Sequence, residues 1–174
     1  RTLSCPSGWE PDVFLDPRAL RAADGQVLVF DGVHGVARFD GDSGQTFIGF
    51  WGYSVHLSTT LRSPDSLSSS FSENAGADSI GVAGGNLGIF APSTPGVRSF
   101  SQVAIHFDTP FFYDPSKGNL SPYIVTAPGP TALMLDAQLA VGDSIGRVYG
   151  SGLSGSVDSL GLVTQFQMML IPEP

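Results

Sequence analysis

The residues able to do chemistry are few, and each needs a geometry that its neighbours must supply. Asp40-Gly41-Asp42-Ser43-Gly44 sets two carboxylates two residues apart between glycines, the composition of an oxygen-liganded Ca²⁺ loop. An EF-hand would bring a bidentate Glu where this chain has Trp51, so the segment reads as an acidic hairpin turn, with Asp40 and Asp42 a weak Ca²⁺ site at most. Gly142-Asp143-Ser144-Ile145-Gly146 matches the nucleophile-elbow pattern. That motif requires a strand-to-helix turn and a histidine after the serine, whereas His34, His56 and His106 all precede it; the segment reads as a turn. His56 and His106 approach each other only if their strands pair, and no third metal ligand is indicated. Trp9, Phe50, Trp51, Tyr53, Phe111, Phe112 and Tyr113 read either as core or as a sugar-stacking platform. Asn119-Leu120-Ser121 is a glycosylation sequon followed directly by Pro122. No catalytic residue, metal ligand set or cofactor is assigned.

The elements that would carry these residues are strands. Residues 51, 53, 55 and 57 are apolar and alternate with Gly52, Ser54, His56 and Ser58, the period of a half-buried strand. Further extended segments are predicted over 79–90, 100–108, 121–126, 132–140 and 162–171, and 66–72 alternates Leu67, Ser69 and Phe71 with serines. Residues 26–30 and 36–39 predict a hairpin around Asp31-Gly32, and 148–158 reads as a Gly/Ser loop. Alternation places Val55 with Leu57, Val103 with Ile105, and Phe166 with Met168 on core-facing sides. The expected fold is all-β: an antiparallel β-sandwich or jelly roll of about eight to ten strands over residues 26–174. Residues 1–25, broken by Pro6, Pro11 and Pro17, read as an irregular arm with at most one strand.

The chain has 174 residues, enough for one core, with 22 Gly, 13 Pro and only 14% charged residues. A net charge of −8 with a single lysine, Lys117, argues against nucleic acid and anionic membrane as partners, because phosphate affinity comes from clustered Lys and Arg. A lone cysteine, Cys5, excludes an intrachain disulfide, and no run of ~20 apolar residues would span a membrane.

Residues 55–60, 63–71, 73–78 and 107–120, the last containing Phe111-Phe112-Tyr113-Asp114-Pro115, resemble a family of secreted bacterial β-proteins. Ile171-Pro172-Glu173-Pro174 resembles the start of a PEP-CTERM sorting signal. The resemblance implies export, a place on the cell surface or in extracellular matrix, and a sorting motif at Pro172, Glu173 and Pro174. It implies no catalytic residues.

Two functions follow as expectations. The first is a non-enzymatic structural protein that associates with itself into a filament, its arm (Trp9, Val13, Phe14 and Leu15) completing a neighbour's open sheet edge. The second is a monomeric secreted module that binds a glycan or Ca²⁺.

Overall fold

Abundant glycine and β-branched residues and scarce helix formers leave extended chain as the default, and a computed structural model bears this out. It describes residues 2–5, 10–15, 27–35, 49–89, 103–127, 133–139, 145–162 and 164–171. These hold twelve strands and, among the described residues, no helix beyond single 3-10 turns such as Pro64–Ser66 and Phe71–Glu73. The chain is an all-β protein with antiparallel sheets.

The largest sheet has the order β10-β9-β2-β7-β4-β5, built from β2 (Glu10–Leu15), β4 (Gly49–Thr60), β5 (Ile80–Ile89), β7 (Asn119–Thr126), β9 (Ile145–Ser151) and β10 (Ser154–Asp158). A second sheet orders β12 (Thr164–Ile171), β3 (Val27–Gly35) and β6 (Val103–Tyr113). A third joins β1 (Thr2–Cys5), β8 (Leu133–Leu139) and β11 (Leu160–Leu162). One apolar cluster takes Val55, Leu57, Val82 and Leu120 from the first sheet and Phe30, Ile105, Phe111 and Tyr113 from the second, which makes these two sheets the layers of a sandwich. Phe166 meets Phe30 edge to face at 5.3 Å between centroids.

Alternation held where strands are regular and failed where they are not. Val55, Leu57 and Ile105 are buried as expected, and Val103's side chain lies outside the described set. Met168 is 42% exposed although Phe166 packs on the core; between Gln167 and Met168 the pairing with β3 shifts register, β3 carrying the extra residue. Asp31-Gly32 is no hairpin turn: β3 runs through it, and Asp31 is the residue skipped between Phe30 and Gly32 in the pairing with both neighbours. Pairing on two sides overrode the local turn signal. The 148–158 segment is a β9–β10 hairpin, turned at Gly152 (φ +78°).

The alternating serines of 66–72 form no strand but a looped segment, since Ser63, Ser66, Ser68 and Ser70 hydrogen-bond within it and compete with a ladder. The N-terminal residues depart furthest from expectation. Two strands replace the irregular arm, and β2 lies inside a sheet of its own chain, between β9 and β7. Val13, Phe14 and Leu15 pair with Arg147, Gly146 and Ile145; Trp9 lies outside the described residues.

Candidate functional site

The site begins with the β4–β7 pairing. Eight consecutive pairs run from Tyr53↔Thr126 to Thr60↔Asn119, and odd positions of β4 enter the core. The opposite face therefore collects His56 beside Tyr123 and Ser58 beside Ser121, two adjacent cross-strand pairs. Pairing with β5 ends at Leu57↔Ile80, and beyond it residues 76–78 take over the β4 edge. There the Gly76 N–H donates to Ser58 Oγ at 3.1 Å, and the Thr59 N–H donates to Asp78 Oδ1 at 2.7 Å. A Cβ on Gly76 would stand 1.7 Å from the Thr59 carbonyl oxygen, so only glycine allows this docking.

The segment 61–79 is held from within by two residues. Asn74, fully buried, accepts from the Ser68 N–H at 2.8 Å and donates to the Ser68 and Ser70 carbonyls at 2.8 and 3.1 Å. Arg62 donates to the Glu73 carbonyl at 2.7 Å and the Ser66 carbonyl at 3.0 Å, and pairs with the Glu73 carboxylate. The segment then reaches the far side of the sheet. The Phe71 N–H donates to the Leu153 carbonyl, the Gly155 N–H donates to the Ser69 carbonyl, and a Cβ on Gly146 would touch the Pro64 carbonyl oxygen. It is thus a strap joining the β4–β7 half to the β9–β10 half. In that second half Arg147, buried to 1% exposure, holds a two-pronged ion pair with Asp158 and stacks over Tyr149 at 4.3 Å.

Between strap and sheet lies a cavity of about 270 Å³. Phe71 and Tyr123 form its aromatic wall, their rings 5.8 Å apart, with His56 6.1 Å from Tyr123. Ser58 and Ser121 form its floor, and Leu153 at the hairpin tip stands at the rim. Gly81 leaves the space beside His56 open: its Cβ would sit 3.4 Å from the imidazole. No hydrogen bond among the described residues joins His56 to either serine. A wider groove of about 690 Å³ follows Thr59, Arg62, Glu73, Asp78 and Lys117, but most of its charged groups are spent on the strap.

The segments singled out by resemblance, although some 50 residues apart, meet at this end of the sheet. Asn119 Nδ2 donates to the Arg62 carbonyl at 2.7 Å, and Gly118 (φ +150°) lies against the Thr60 carbonyl. The sequon asparagine is therefore committed to the fold, and a glycan on it would have to leave its remaining N–H on the Arg62 carbonyl. Tyr113 donates to the Gly118 carbonyl at 2.8 Å. Asp114 caps the Pro115–Lys117 turn, and hydrogen bonds from the Ser116 hydroxyl and N–H, with Lys117 beside it, hold its carboxyl below the usual range.

Other predicted sites are dispersed. Asp40, Asp42, Ser144, Pro172, Glu173 and Pro174 lie outside the described residues. His56 and His106 occupy different sheets, and no group of three or more metal-ligating side chains occurs among the described residues. The sugar platform is split: Phe111 and Tyr113 are core, while Phe112 is 60% exposed. The elbow motif's Ile145-Gly146 opens strand β9 and not a helix. Sequence reasoning missed Phe71 and Tyr123 as partners; only the β4–β7 register, set by the Thr60-to-Asn119 end, brings His56 and Tyr123 together. Compared with protein-family models, curated proteins and solved structures, the chain matches none.

Proposed function

We propose that the protein is a non-enzymatic structural component of the bacterial cell surface or extracellular matrix, and that copies associate by exchanging β2. The observation that carries this reading is the seam between β2 and β7. Only Asp12↔Tyr123 and Leu15↔Leu120 are registered there, whereas β2 pairs with β9 at every residue from Glu10 to Leu15. Two prolines explain the difference. N–H groups of successive residues point to alternate neighbours, and the unbroken β9 ladder puts the nitrogen of Pro11 on the β7 side. Across the seam, Pro122 lacks the N–H that would meet the Val13 carbonyl.

A strand in mid-sheet is thus zipped along one edge and short of two backbone donors, those of Pro11 and Pro122, along the other. The strap 61–79 ties the flanking strands together independently of β2, which supports a slot that keeps its shape when the strand leaves. Eleven residues, 16–26, connect β2 to β3, a reach of up to roughly 36 Å. Exchange restores the same contacts between copies, so concentration sets the balance; reciprocal exchange closes a dimer, and serial exchange runs on into a filament. The likeness of residues 55–120 and 171–174 to exported bacterial surface proteins supports the location.

Leu15 and Ile145 face each other at a non-hydrogen-bonded position, where Cα atoms about 4.5 Å apart suit a disulfide. In a Cys5→Ser background, Leu15→Cys with Ile145→Cys is oxidised at rising protein concentration and run on a non-reducing gel. Interchain ladders that grow with concentration support exchange; intrachain closure alone at every concentration refutes it.

A further inference from the structure

We propose that the cavity between the strap and the β4–β7 pair binds one neutral sugar ring. This inference does not depend on strand exchange. At about 270 Å³ the space lies just below the ~300–1,000 Å³ range of small-molecule pockets, which restricts it to a single ring. Its lining mixes apolar and polar surface, as a sugar does. Phe71 and Tyr123 contribute aromatic rings suited to the C–H face of a pyranose. His56, Ser58 and Ser121 contribute nitrogen and hydroxyl groups.

The decisive group is Ser121. It is only 4% exposed and lines the cavity, yet its hydroxyl has no hydrogen-bond partner among the described residues. A buried hydroxyl without a partner is costly, and the cavity that Ser121 lines has room for one. Ser58 Oγ accepts from the Gly76 N–H and keeps its own proton to donate. Hydroxyl groups that both donate and accept satisfy these serines and the imidazole together. Among the described residues no carboxylate, lysine or arginine lines the space, which favours a neutral sugar over a uronic acid or a sugar with a free amine.

Saturation-transfer difference NMR on the whole chain tests this, using glucose, galactose, mannose and N-acetylglucosamine as probes, with glucuronate and cyclohexanol as counter-probes. At least one neutral sugar should give transfer, strongest at its ring C–H protons, and bind at least tenfold more tightly than glucuronate or cyclohexanol. Ser121→Ala should weaken it roughly tenfold. Ser79→Trp, placed at an exposed position of the rim, should abolish it while leaving the circular dichroism spectrum unchanged, and it keeps the test decisive where Ser121→Ala fails to fold. No transfer from any of the four sugars at tens of millimolar overturns the proposal, as does transfer that survives Ser79→Trp. Cyclohexanol binding as well as the sugars would show the cavity to be merely apolar, and equal binding of glucuronate would remove the preference for neutral ligands.

Discussion

Strand β7 has two neighbours, and its two edges are made differently. Toward β4 it pairs at eight consecutive positions, and the turn that leads into it is locked by Gly118 against the Thr60 carbonyl and by Asn119 on the Arg62 carbonyl. Toward β2 two registered pairs straddle Pro122. Both edges lie inside one sheet, so position in the sheet does not determine cohesion; the supply of backbone donors does. A single proline can leave one face of a strand permanent and make the other separable.

Breaking the strong edge should give the largest effect. Gly118→Ala places a Cβ 2.5 Å from the Thr60 oxygen at a backbone angle that disfavours any side chain, and should cost on the order of 4 kcal/mol in urea unfolding. A loss under ~1 kcal/mol would show that the turn yields. Asn74→Ala strands one N–H and two carbonyls inside the strap and should cost about 3 kcal/mol by the same assay. Because the strap spans both halves of the sheet, that variant should also lose its exchanged species in the Leu15/Ile145 cross-linking experiment.

The weak edge is sharpened by repair. Pro122→Val restores a donor facing the Val13 carbonyl, which should strengthen the β2 seam by about 1 kcal/mol and shift cross-linking toward the intrachain product about fivefold. An unchanged ratio would detach exchange from this seam. The smallest effect belongs to Asp114→Asn. The folded carboxyl titrates below its ordinary value, so its contribution is present above the usual carboxylate range and disappears as pH falls through the folded pKa. Wild type and variant should therefore differ near neutrality and converge in acid; a constant difference across pH would refute this origin.

The fold class was legible because period-two patterns such as 51–57 survive in the structure as β4, and the glycine-rich composition left no competing helix signal. Asp31-Gly32 misled because a turn signal is local while the pairing of β3 with β6 and β12 is not. Pro11 misled for the same reason: from one strand alone it is a breaker, and only the identity of both neighbours shows that its missing donor falls on one side. The candidate cavity was nearly illegible. His56, Phe71 and Tyr123 lie in three separate segments, and Ser121 joins them only through the β4–β7 register.

The sheet order also sets a timetable. β2 leaves the ribosome some 130 residues before its fully zipped partner β9. At ~5–20 residues per second the new strand waits between several seconds and about half a minute for its own slot to exist. During that interval a finished copy nearby presents one whenever its own β2 has left. Under the proposed exchange, crowded synthesis should favour capture of a nascent strand by an older molecule and dilute refolding should favour self-closure, from the same sequence and the same final contacts.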